Sequence, residues 1–217
     1  MYLWVLLITF ISLLYSYNLS VRGDERKIGV EPLAEAAISS FALHHRMGQQ
    51  YIKERSPKTI DNPYGTNGET ISYTKGILDY DALENYKPVG FQINDSYQTE
   101  IYCAKRDNWS TAVADCTSDD ADKILITYGP IPERWLNRSS NTPNNDFMNA
   151  LSNLFDIDNT IGYAVPSRNS TVYKMELQGR EDSVVYLPNL VVTSGGFKEK
   201  CACENCKRCL VYMSVYE

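Results

Sequence analysis

The run Tyr2 to Tyr17, YLWVLLITFISLLYSY, carries no charged side chain and divides the chain into a short apolar end and a long polar body. As a helix of about 16 residues it would extend roughly 24 Å. That is short of a ~30 Å hydrocarbon core unless Trp4 and the flanking tyrosines sit in the interfaces. A cleaved leader would show a basic start and a small-x-small cleavage site. Here no Lys or Arg precedes Arg22, and the run ends Leu14-Tyr15-Ser16-Tyr17-Asn18. The expectation is therefore an uncleaved membrane anchor over residues 1–17, with Leu3, Trp4, Leu6, Leu7, Phe10, Leu13 and Leu14 as its apolar contacts. A short linker over 18–30 and a single extracytoplasmic domain over 31–217 would follow.

Two signals disagree about the side of the membrane. Arg22, Arg26 and Lys27 follow the run and would hold the body in the cytoplasm, but Asp24 and Glu25 lie among them. Cys103, Cys116, Cys201, Cys203, Cys206 and Cys209 are an even set behind an apolar segment, the usage of an oxidising compartment. The cysteines outweigh the small charge bias, so the body is placed outside the cytoplasm. N-x-S/T sequons at Asn18, Asn94, Asn108, Asn137 and Asn169 would be glycan acceptors in a eukaryotic secretory path.

Hydrophobic residues at 43% and charged residues at 22% are those of a globular body. A net charge of −6, without a Lys/Arg cluster, argues against nucleic-acid binding, which draws its affinity from phosphate neutralisation.

Glu31 to Arg55 reads as an amphipathic helix, with Pro32 in its first turn, Ser56-Pro57 as its stop, and Val30, Leu33, Ala37, Phe41 and Tyr51 on its apolar side beside Ala34, Ile38 and Ile52. Ser56 to Gly76 is loop chemistry, dense in Pro, Gly, Asn and Thr. Strands are predicted at Thr99 to Ala104, Lys123 to Tyr128, Gly162 to Val165, Thr171 to Leu177, Ser183 to Leu187, Leu190 to Thr193 and Cys209 to Tyr216. One further helix, capped by Asn141-Thr142-Pro143, carries Phe147, Leu151, Leu154 and Phe155. The fold class is α+β: a membrane helix, one long amphipathic helix, then a largely antiparallel sheet with one further helix.

His44 and His45 are the only histidines. Adjacent helical positions point about 100° apart and cannot share one metal, so both are expected on a partly exposed helix surface. Gly-x-Ser-x-Gly, Walker and Gly-x-Gly-x-x-Gly strings are missing, and no catalytic residue, metal ligand or cofactor is assigned. Asp115, Asp119, Asp120 and Asp122 lack the central glycine and terminal glutamate of a calcium loop, which leaves a solvated turn between strands. Sixteen tyrosines against six phenylalanines fit exposed contact surfaces and strand propensity equally well.

The tail Cys201-Ala-Cys203-Glu-Asn-Cys206-Lys-Arg-Cys209 packs four thiols into nine residues, too close for the two separated knuckles of a structural zinc site. Disulfides are expected: Cys103 with Cys116 across a loop containing Trp109, and two local bonds in the tail. Glu204-Asn205 would make a two-residue turn, with Cys201 opposite Cys209 beyond a bulge, locking a closing hairpin and the register of the last strand.

The layout of short hydrophobic N-terminus, AEAAISSFALHHRMGQQYI helix, Pro-rich loop and Tyr-rich β body, with KILITYGPIPERWLNR at Lys123 to Arg138 and IGYAVPS at Ile161 to Ser167, resembles the PilM family of accessory proteins of type IVb and conjugative thin pili. The chain departs from that family in its length and its cysteine tail, and from a prepilin in lacking a Gly-Phe processing site. The resemblance implies a non-enzymatic component of a type IV pilus or conjugation apparatus in the bacterial inner membrane, single-pass, with its main domain in the periplasm. Other pilus or envelope assembly proteins would be its partners. A secreted or cell-surface binding glycoprotein domain, stabilised by disulfides, is the alternative.

Overall fold

The computed structural model describes residues 32–56, 76–113, 120–137, 142–154, 161–166, 173–177, 184–201 and 208–216, with Pro63, Gly65 and Cys116. The anchor over 1–17, the linker over 18–30, most of the Pro-rich loop, Asp115, Asp119, Cys203, Cys206 and the sequons at Asn18 and Asn169 lie outside them.

The architecture is α+β. A long helix, α1, runs over 32–55. Next come β1 (Gly76–Leu78), α2 (Tyr80–Glu84), β2 (Gln98–Lys105), β3 (Asn108–Ala112), β4 (Ala121–Pro130) and a 3-10 turn at Glu133–Trp135. After these follow α3 (Asn145–Leu154), β5 (Ile161–Pro166), β6 (Tyr173–Leu177), β7 (Val184–Tyr186), α4 (Asn189–Val192), α5 (Gly195–Cys201) and β8 (Cys209–Tyr216). The strands form one sheet in the order β1-β2-β4-β8-β5-β6-β7, with β3 also on β2, and every pairing is antiparallel. The last strand thus inserts at the centre, between β4 and β5.

Register sets which residues share a face. Thr99 pairs with Thr127, Thr127 with Tyr212 and Tyr212 with Ile161, so this row lies on one side of the sheet. On that side α1 contributes Ala34, Ile38 and Phe41 to a core with Phe147, Leu151, Ile161 and Leu210. Its C-terminal half adds Met47, Tyr51 and Ile52 to a second core with Ile101, Cys103 and Leu125. The opposite side buries Ile126, Tyr128 and Val211 under Val191, Val192 and Phe197 of α4 and α5.

Several expectations are corrected. Leu190 to Thr193 is not a strand, because Val191 and Val192 donate their N–H groups to the Pro188 carbonyl and bury their side chains as one helical turn. Besides α3, the sheet carries the short helices α2, α4 and α5 rather than one further helix. The cap of α3 is Asn144, whose Oδ1 accepts from Phe147 N–H at 2.9 Å, one residue beyond the expected Asn141-Thr142-Pro143, of which Asn141 lies outside the described residues. Leu33, expected on the apolar side of α1, is 53% exposed. Asp122 lies within β4, buried and 3.0 Å from Arg106, so it is no part of a solvated turn. Trp109 belongs to β3 rather than a loop.

Candidate functional site: a polar seam beneath the long helix

The buried stripe of α1 is Ala34, Ile38, Phe41, His45, Gly48 and Ile52, with steps of 4, 3, 4, 3 and 4 residues. Its middle is polar. His45 is 0% exposed and His44 2%, against the expected partly exposed surface. The sheet face opposite them is polar too, with Thr99 on β2, Thr127 on β4 and Ser214 on β8.

A continuous chain of hydrogen bonds joins the two layers. His44 Nδ1 lies 3.0 Å from Thr99 Oγ1, which lies 2.8 Å from Thr127 Oγ1, which lies 3.0 Å from His45 Nδ1. His45 Nε2 is 2.8 Å from Ser214 Oγ, and Gln49 Nε2 donates to that oxygen at 3.1 Å. Run from Gln49, each donor finds an acceptor: Ser214 donates to His45 Nε2, His45 Nδ1–H to Thr127, Thr127 to Thr99, and Thr99 to His44 Nδ1. His44 Nε2 is left buried without a partner. The ring of His45 stacks on Tyr212, centroids 3.8 Å apart, and His44 meets Tyr97 edge-on.

Both imidazoles are held neutral. Burial pushes the pKa of His44 down to about 4, and burial plus the neighbouring His44 pushes that of His45 down to about 3. No carboxylate contributes to either shift.

Gly48 lets the helix approach this closely. A Cβ there would stand 2.9 Å from Thr99 Cγ2 and 3.0 Å from Leu125 Cδ1. Gly48→Val is expected to lift the middle of α1 and destabilise the protein by about 1 to 3 kcal/mol, read as a lower urea midpoint. An unchanged midpoint would show that the helix sits further from the sheet.

A second buried polar cluster lies on the other face. Tyr128 Oη donates to Glu100, and Ser194 also bonds that carboxylate. Burial raises the pKa of Glu100 and, with Glu100 beside it, that of Tyr128. Ser194 Oγ caps α5 by accepting from Phe197 N–H at 3.1 Å, and Gly196 leaves the room that Tyr128 and Glu100 occupy. Tyr128, Tyr51 and Tyr212 are buried, so these tyrosines are core residues rather than exposed contacts.

Cys103 on β2 is disulfide-bonded to Cys116, and Cys201 to Cys209, with Cα–Cα separations of 5.0 and 5.5 Å. Cys201 ends α5, so the second bond ties a helix to the start of β8 rather than closing a hairpin. Among the described residues no group of three or more His, Cys, Asp or Glu converges as a metal site would require. A surface groove of about 590 Å³ runs between Gln50, Lys53 and Glu54 of α1 and Asn85, Tyr86 and Lys87 after α2.

The sequence signal for the buried histidines was the stripe itself, since interpolating between Phe41 and Ile52 at helical steps lands on His45 and Gly48. Comparison with protein-family models, curated proteins and solved structures finds no match.

Proposed function

We propose that the chain is a non-enzymatic, membrane-tethered component of an envelope assembly of the pilus or conjugation type, working in the periplasm through protein–protein contacts of its α+β body. The observation that carries this reading is the pairing of Cys103 with Cys116 and Cys201 with Cys209 in a chain that begins with an uncharged apolar run. Disulfides persist outside the cytoplasm, and an apolar N-terminal helix is the means of keeping such a body at the membrane. The enclosed His, Thr and Ser seam supports a structural role for the chemically versatile side chains, because its ring nitrogens lie beneath α1 where no substrate reaches them. The groove beside α1, lined by both signs of charge, is the contact surface we assign to a partner.

Deleting the gene in its native host is expected to abolish surface pili or conjugative transfer, with recovery when the full chain is restored. Unchanged piliation and transfer would overturn the reading. A cell-surface glycoprotein is the second reading, favoured by the exposed side chains of the sequon residues Asn94, Asn108 and Asn137. A mobility shift of the native protein on glycosidase treatment would select it.

The tether has its own test. Leu6→Lys with Leu13→Lys should move the protein from the carbonate-washed membrane pellet to the supernatant, since each charge costs about 2.5 to 3.5 kcal/mol near a bilayer centre. Retention of that variant in the pellet would mean that another segment holds the protein there.

A further inference from the structure

We infer that His44 and His45 form a proton-operated latch: as neutral rings they hold α1 on the sheet, and a proton on either ring frees α1 while the cross-linked sheet layer stays assembled. This inference concerns the fold alone and stands apart from the functional reading.

The geometry of the seam makes it proton-sensitive. Both rings sit where α1 crosses the sheet, bonded only to hydroxyls. From α1 itself, Arg46 and Gln49 flank them. From β2 and the residues before it come Thr99 and Tyr97, from β4 Thr127 with Lys123 further along the same face, and from β8 Tyr212, Ser214 and Tyr216. The formal charges in that set are positive. Strand alternation puts Glu100 and Asp122 on the opposite face. Glu35 and Glu54 lie nine residues along α1 from His44 and His45 respectively, roughly 13 Å of helix and beyond a Debye length in physiological salt. A proton on His44 would go to Nδ1, the atom that accepts from Thr99 Oγ1, breaking the donor order of the chain and leaving the unpartnered Nε2–H on a buried, charged ring. The displaced pKa values of the rings agree with this arrangement.

The same geometry selects α1 as the element that leaves. Neither observed cross-link reaches it, since Cys103–Cys116 staples β2 to the segment after β3 and Cys201–Cys209 staples α5 to β8. The core under α4 and α5 lies on the other face and contains no histidine. At its midpoint α1 offers the sheet two imidazoles and a glycine, so the centre of the contact depends on the hydrogen bonds that a proton disrupts. Departure of α1 would uncover Ile101, Leu125, Leu210 and Tyr212.

Hydrogen exchange of the full chain in detergent, at pH 7 and pH 5 with intrinsic rates corrected, tests the latch. Protection of amides in residues 38–52 should fall about 30-fold for one titrating ring, and up to about 1,000-fold for both, and at pH 5 it should lie well below that of β2, β4 and β8, because α1 opens while those strands stay paired. Equal protection of α1 and the sheet at pH 5 would overturn the proposal by showing that α1 opens only in global unfolding. Unchanged protection in α1 would overturn it as well. With His44→Gln and His45→Gln together, α1 should show equal protection at both pH values. If that variant does not fold, the comparison of the two pH values in the natural protein decides alone.

Discussion

Moving the protein from pH 7 to pH 5 is expected to lower its unfolding free energy by about 4 kcal/mol. The sign follows from the depressed pKa values. In the unfolded chain both histidines titrate near 6.5, whereas in the folded protein they do so at about 4 and about 3. The unfolded state therefore binds more protons throughout that window. The stability the neutral rings supply is fully present above pH 6.5 and is lost as the pH falls towards their folded values. Each ring contributes about 2 kcal/mol of the loss by pH 5. Glu100 works in the opposite sense, because its raised pKa lets the folded state take up a proton first, but it is one group against two. Urea titrations at the two pH values measure the difference. A midpoint that stays constant, or rises in acid, would mean that the rings are not held neutral under α1.

The second large effect belongs to the cross-links. In the chain-entropy account, the Cys103–Cys116 bond, spanning 13 residues, stabilises by about 3 kcal/mol, and Cys201–Cys209, spanning 8, by about 2.5 kcal/mol. Losing both should lower the melting temperature by roughly 10 to 20 °C at this chain length. The first bond pins the β2–β3 hairpin arm against the turn that leads into β4. The second fixes the end of α5 at the start of β8, the strand at the centre of the sheet. Thermal melts with and without reductant, and of Cys103→Ser/Cys116→Ser and Cys201→Ser/Cys209→Ser separately, resolve the two contributions. A reduced protein melting within a few degrees of the oxidised one would show that the hydrophobic cores alone hold these segments.

Where periodicity was strong, the residues named their own structure. The Pro32 start and Ser56-Pro57 stop bracket α1 closely, and β2, β4, β5, β6, β7 and β8 fall on the alternating or β-branched runs assigned to them. The failures have physical causes. Leu190-Val191-Val192 has strand propensity, but Pro188 and the need to cover Val211 and Phe197 turn it into a helix. The helix α5 was hidden by Gly195-Gly196, a poor helical start, although Ser194 is a good cap and Lys198 and Lys200 suit a last turn. That helix is what turns the expected closing hairpin into a helix-to-strand cross-link. The polar seam was misplaced for a different reason. A pair of histidines and a glycine interrupts the hydrophobic stripe of α1, and the hydroxyls that satisfy the rings come from Thr99, Thr127 and Ser214, 55 to 169 residues distant in sequence. Pairing of that range follows from sheet order, which local patterns do not encode.

We propose an exported, tethered and cross-linked body, and peptide mapping without reductant of the protein taken from native membranes tests this proposal most directly. It predicts a linked peptide pair joining Cys103 to Cys116, a second joining Cys201 to Cys209, and recovery of the N-terminal peptide that contains residues 2–17. Free thiols at those four cysteines, or a mature N-terminus at or beyond Tyr15, would contradict it.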